Sequence, residues 1–136
     1  MCLNKAVRIK PEKDIVCYKL FYKRDSDNTL YSLYKGSPYK LNNTKNTRKS
    51  KPNLYCFEFL GEKTYDVFES ALHSFANYED TKFFKEDAGI FKNIKSIKSI
   101  IVKCIIPKSS EYIYEGTFRG VKAYASQKLK PIEILN

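Results

Sequence analysis

The 136-residue chain has no tryptophan, one methionine, one histidine and five each of glycine and proline. With a single histidine, any chemistry that needs imidazole must use His73. The glycines form no Gly-x-Gly-x-x-Gly, Walker or Gly-x-Ser-x-Gly pattern, and no His-Glu-x-x-His occurs, so the familiar nucleotide, hydrolase and zinc-protease motifs are missing. The longest apolar run inside Ser99–Ile106 is broken at Lys103, far below the roughly 20 residues of a membrane span. Met1–Ala6 meets Lys5 before any apolar run begins, so no secretory signal peptide is expected and the cytoplasm is the expected compartment, the host's if the gene is phage-borne.

None of the four cysteines (2, 17, 56 and 104) lies in a Cys-x-x-Cys pair, which leaves no metal site to expect. Cys17, Cys56 and Cys104 each sit in an apolar, strand-like run, where a reduced thiol acts as a small buried hydrophobe. No cofactor is implied. Arginine is scarce too: of 25 basic residues only Arg8, Arg24, Arg48 and Arg119 are arginine. Arginine forks onto phosphates and guanine edges, so a lysine-dominated surface argues against sequence-specific base readout.

The net charge of +10 invites a polyanion, although a Lys-, Asn-, Ile- and Tyr-rich composition is also what A/T-rich coding yields. The charge is unevenly placed: residues 1–57 carry +9, residues 58–87 carry −5 and residues 88–136 carry +6. Folding that joins the first and third blocks would make one positive surface.

Period-two alternation of Val16, Tyr18, Leu20 and Tyr22 predicts a strand over 14–22, with a second over 29–34 after the turn cluster Asp25–Asn28. Residues 42–52 contain neither an apolar side chain nor an acid, which predicts a mobile basic loop at about 40–53. Leu54–Leu60 reads as a buried strand. Tyr65, Phe68, Leu72 and Phe75 recur at helical spacing, against the alternative of a short strand through 71–75. Asn77 as a cap, with Phe84, Ala88 and Phe91 as an apolar stripe, predicts a helix over about 78–92. Residues 97–106, 111–115, 121–126 and 129–135 read as strands. The expectation is a single α+β domain over 1–136: a mixed or antiparallel sheet of about six or seven strands with one or two helices in the middle of the chain.

Ala71-Leu-His-Ser-Phe75, Ile101-Val-Lys-Cys-Ile-Ile-Pro-Lys108, Tyr114-Glu-Gly-Thr-Phe118 and Tyr124-Ala-Ser-Gln-Lys-Leu-Lys130 resemble segments of small uncharacterised proteins encoded by phages and gut bacteria. That resemblance implies a strand at His73-Ser74-Phe75 running into the helix, and no particular activity. A fainter resemblance is to the ADP-ribosyltransferase fold: Tyr18-Lys19 on a first strand, Ser74 before a helix, and a late strand ending Ile-Pro-Lys. Such enzymes place arginine or histidine on the first strand and a catalytic glutamate late in the chain, whereas this chain has Lys19 and only Glu111 or Glu115 to serve.

Two functions are therefore expected. One is a non-enzymatic binding protein, of phage or mobile-element origin, engaging nucleic acid or an acidic host protein through Lys45, Arg48, Lys49, Lys51, Arg119, Lys122, Lys128 and Lys130. The alternative is a degenerate ADP-ribosyltransferase-like enzyme or nucleotide-binding protein with a cleft near His73, using Ser74, Tyr18, Glu111 and Glu115.

Overall fold

A computed structural model describes residues 3–23, 29–33, 36–47, 52–69, 71–86 and 99–135. Among them lie twelve strands and one helix: β1 (Asn4–Arg8), β2 (Ile15–Lys23), β3 (Leu30–Ser32), β4 (Pro38–Tyr39), β5 (Lys45–Asn46), β6 (Asn53–Phe59), β7 (Glu62–Glu69), β8 (Leu72–Phe75), α1 (Tyr78–Glu86), β9 (Ser99–Ile106), β10 (Ile113–Phe118), β11 (Val121–Ser126) and β12 (Lys128–Leu135). The fold is mainly antiparallel β, which corrects the expected α+β class with six or seven strands. The extra strands are β7 and β8, where the spacing suggested a helix, and β1 with the two-residue β4 and β5, which have no alternating apolar pattern and are held by pairing.

Ten strands share one sheet in the order β1-β10-β11-β8-β2-β9-β12-β5, with β3 on β2 and β4 on β3; β6 and β7 form a separate hairpin. Gln127 alone separates β11 from β12, yet β8, β2 and β9 lie between them in that order. In a flat sheet the gap would be about 19 Å, and two peptide steps reach only about 7 Å. The sheet therefore curls on itself, with β11 and β12 as the two arms of one bent strand.

Register separates the faces, because directly opposed residues point the same way. The inner, concave face holds Cys17, Phe21, Val102, Cys104, Ile106, Ile113, Tyr124 and Leu129, capped by Leu30 and Tyr39. The outer face holds Leu20, Phe75, Ile101, Ala123 and Ala125, covered by Phe84 of α1 and by Leu3 and Val67. The alternation Val16, Tyr18, Leu20, Tyr22 belongs to the outer face, where Val16 stays exposed. The more deeply buried set is the opposite one, Cys17 and Phe21.

Residues 64–69 belong to β7 and 72–75 are β8, not a helix; β8 is the short strand that the alternative reading of 71–75 held. α1 begins at Asn77 as expected: the Asn77 carbonyl accepts from Thr81 N at 3.2 Å and from Thr81 Oγ1 at 2.8 Å, while Asn77 Nδ2 donates to Asp80 Oδ2 at 3.2 Å. Residues 87–98, with Ala88 and Phe91, lie outside the described residues, as does the turn cluster expected at Asp25–Asn28. β10 and β11 are joined by Arg119 (φ 49°) and Gly120 (φ 83°), the paired positive φ of a two-residue hairpin turn whose twist matches its strands. This carries β10 through Gly116–Phe118, beyond the strand expected at 111–115.

β6 does not form the buried strand expected at 54–60. It pairs with β7 on one side only, and Tyr55 (60% exposed), Phe59 (77%) and Leu60 (87%) stand in solvent with Cys56. The hairpin joins the main sheet through Leu3, which exchanges backbone hydrogen bonds with Val67 at 3.0 and 2.8 Å.

Candidate anion-binding site

Of the eight basic candidates, Arg48, Lys49 and Lys51 lie outside the described residues. Just before them, Asn42 and Thr47 are hydrogen-bonded to the bent strand: Asn42 N to Pro131 O at 2.7 Å and Thr47 N to Gln127 O at 3.0 Å, with Thr47 Oγ1 3.1 Å from Tyr112 OH. This seats β5 against β12, opposing Lys45 to Leu129 and Asn46 to Lys128. Lys45, Lys128 and Lys130 thus meet at one sheet edge, although more than 80 residues separate the first from the others. Lys45 shares the inner face with Leu129, while Lys130, opposite Ile105, takes the outer one.

Arg119 and Lys122 are not part of that edge. Arg119 tips the β10–β11 turn against the Phe118 ring, and Lys122 makes a 3.0 Å ion pair with Glu115, which raises its pKa. Both partners are well exposed, so the pair contributes little to stability.

The candidate catalytic residues fall on two sides of the sheet. Tyr18 and His73 face outward; Tyr18 opposes Phe75 and packs edge-on against Tyr78 at 6.0 Å, and His73 opposes Ala125. Ser74 and Glu115 face inward, on either side of Tyr124 in adjacent strands, while Glu111 lies exposed ahead of β10. Burial, with the Lys19 charge behind it, pushes the His73 pKa down to about 3, so the ring is neutral, and its Nε2 has no hydrogen-bond partner. The sheet itself keeps imidazole and hydroxyl apart.

The residue that sequence reasoning missed as a binding group is Lys19. It occupies the centre of β2 on the inner face, half-buried, and Nζ donates to the His73 carbonyl at 2.6 Å. Nζ also lies 6.0 Å from the centre of the Tyr39 ring, and Lys45 Nζ lies 5.5 Å from the same ring, so one nearly buried tyrosine serves two cations. Desolvation lowers the Lys19 pKa to about 8, against the opposing influence of the Cys104 and Cys17 sulfurs. The signal in the sequence was Lys19 itself: a charge inside a run that is otherwise Cys-Tyr-x-Leu-Phe.

Cys17 and Cys104 oppose each other across β2 and β9, both fully buried and free. Burial pushes the Cys17 thiol up to about 12, and Cys104, with Cys17 beside it, well above its ordinary value. Cys104 Sγ donates to Val102 O at 3.5 Å. Protonated and sealed from solvent, these thiols are packing groups, not nucleophiles. Ser74 Oγ is buried beside the Cys17 thiol, whose pKa it acts to lower against the larger effect of burial, and no partner meets it in full hydrogen-bond geometry. Among the described residues no group of His, Cys, Asp or Glu is arranged to hold a metal ion, and no helix is long and apolar enough to cross a membrane.

Comparison of the chain with protein families, with curated proteins and with solved structures finds no match.

Proposed function

We propose that this chain is a non-enzymatic binding protein that grips an anionic partner, nucleic acid in the first instance, along the β5–β12 edge. The observation that carries the reading is the pairing of β5 with β12, which gathers Lys45, Lys128 and Lys130 from the two basic blocks of the sequence. The β2–β9 pairing joins the same two blocks a second time. The carboxylates of the acidic block ride on β6–β7 (Glu58, Glu62, Asp66) and on α1 (Glu79, Asp80, Glu86), elements with no strand pairing to β5 or β12. β12 itself carries one carboxylate, the exposed Glu133, which lies opposite Lys103 beyond the stretch paired with β5.

Lysine ammonium groups act on a phosphate backbone as point charges and release counterions, so the reading requires affinity without base preference and a steep salt dependence. A mobility-shift titration of a mixed-sequence oligonucleotide at 50 and 200 mM salt tests it. Retention at the lower salt that collapses at the higher, with a salt slope reduced by about two in Lys128→Gln/Lys130→Gln, supports the edge. No retention at 50 mM removes nucleic acid and leaves an acidic protein as the partner. Residence in the cytoplasm, with origin in a phage or mobile element, belongs to the same reading; the three free cysteines among the described residues suit a reducing compartment.

A further inference from the structure

We propose that the inner face of the curled sheet holds a phosphate group, bound between the ammonium groups of Lys19 and Lys45 about the Tyr39 ring, with the Ser74 hydroxyl as a third donor. The proposal deepens the anion-binding reading, on which it rests, by assigning one seat for one phosphate.

Four observations converge on this place. An ammonium on the inner face of a sheet is costly unless paired, and the ordinary partner is a carboxylate. Lys19 and Lys45 have none: the ion pair among the described residues is Lys122–Glu115. Lys19 Nζ is satisfied once, by the His73 carbonyl, which leaves two of its three N–H donors. Lys45 is brought to the same ring by the β5–β12 pairing, which places it on the inner face with Leu129. Ser74, the residue after that carbonyl, faces inward beside Cys17 with a buried hydroxyl that lacks a partner.

Two cations with spare donors and an orphaned hydroxyl share a face with Cys17, Cys104, Val102 and Tyr124, and the inward-facing Glu115 beyond Tyr124 is taken up by Lys122, so the constellation keeps a surplus of positive charge and of donors. An oxyanion supplies both deficits at once. A phosphate suits it better than a carboxylate because its several oxygens can meet three separate donors, and its double charge matches two ammonium groups. Partial withdrawal from water strengthens each attraction relative to a fully solvated lysine. The geometry also explains why Lys19 is tolerated at the centre of β2, where Cys17 and Phe21 on either side are fully buried.

The test uses the whole chain and inorganic phosphate at constant ionic strength, with acetate as the control anion. The readouts are calorimetric affinity and protection of individual lysines from acetylation, mapped by mass spectrometry. Phosphate, but not acetate, is expected to shield Lys19 and Lys45 while leaving Lys63 and Lys108 reactive. Lys19→Met, which replaces a desolvated charge by an apolar chain of similar length, is expected to keep the fold and weaken phosphate about tenfold or more. Ser74→Ala, which removes a hydroxyl beside the Cys17 thiol that meets no partner in full hydrogen-bond geometry, is expected to weaken it about threefold without loss of thermal stability. Unchanged affinity in both variants, or equal protection by acetate, overturns the site.

An oligonucleotide arm separates this seat from the edge. Loss of oligonucleotide affinity in Lys19→Met assigns the seat to a backbone phosphate. Phosphate protection without any oligonucleotide binding keeps the seat, makes its ligand a free phosphate or phosphometabolite, and defeats the nucleic-acid reading. Oligonucleotide binding indifferent to Lys19→Met, together with absent phosphate protection, defeats the seat and leaves the edge standing.

Discussion

Strands β2 and β6 are written in nearly the same letters. Ile15-Val-Cys-Tyr-Lys-Leu-Phe21 and Asn53-Leu-Tyr-Cys-Phe-Glu-Phe59 each carry one cysteine, one charge and the rest apolar or aromatic, apart from Asn53. Their fates are opposite. Cys17 and Phe21 are wholly buried, whereas Tyr55, Cys56, Phe57 and Phe59 lie in solvent. The difference is in the neighbours. β2 has β9 along one side and β8 and β3 along the other, with α1 over its outer face and Tyr39 over its inner one. β6 has β7 alone, and among the described residues nothing lies over its aromatic face; Tyr55 and Phe57 pack mainly on each other, their ring centres 4.7 Å apart. Apolar letters make a strand; partners on both edges and both faces make it a core.

The sharpest way to break this comparison is to delete matching rings. Phe21→Ala removes a fully buried side chain that stacks edge-on against Tyr39 at 4.9 Å, and it opens the inner core beneath the cap. Its expected cost is about 3–5 kcal/mol in urea unfolding. A cost below about 1 kcal/mol would mean that the inner face is not the packed core its register implies.

A second test concerns the junction of the two regions, where His73 is buried close to the Val67 and Ala71 backbone carbonyls. Its folded pKa of about 3 lies below the ordinary 6.5, so between those values the unfolded chain holds a proton that the folded chain refuses. Stability must then fall as pH drops below about 6.5. His73 is the chain's one histidine, so the window from 6.5 to 5 is where its proton is read. The slope there approaches about 1.4 kcal/mol per pH unit at its acid end. His73→Leu is expected to flatten it, as read from urea midpoints at pH 5, 6 and 7. An unchanged slope would place the imidazole in contact with water.

How far the sequence foretold this structure follows the same line. β2, β9, β11 and β12 were legible because alternation or β-branched runs persist over six residues or more, and the start of α1 because Asn77 and Asp80 form a cap. β1 and β5 were not, since their hydrogen bonds are supplied by distant partners and nothing in Lys45-Asn46 favours a strand; nor was β4, whose two residues beside β3 are too few to show a pattern. Helical spacing in Tyr65, Phe68, Leu72 and Phe75 misled because a hairpin and the strand after it divide those residues between β7 and β8. For the site, Lys128 and Lys130 were read from charge alone. Lys19 stands out in the sequence only as a departure from an enzyme pattern, because its meaning depends on Tyr39 and Lys45, which no local spacing connects to it.

The smallest effect is expected where composition promised a large one. Phe59→Ser removes an aromatic ring from the end of β6, but that ring is 77% exposed and pairs across the hairpin with Glu62. Little apolar area returns to water, and the next residues, Leu60 and Gly61, form the turn with or without it. The expected change in unfolding free energy is within about 0.5 kcal/mol, the ordinary range of a surface substitution and several-fold below Phe21→Ala. Urea unfolding of the two variants side by side measures that ratio. Thiol labelling in the same samples adds a control: Cys56 should react in the native state, and Cys17 and Cys104 only on unfolding. A loss of more than about 2 kcal/mol in Phe59→Ser, or native protection of Cys56, would show that the β6–β7 hairpin is covered in solution, and the contrast between the two strands would vanish.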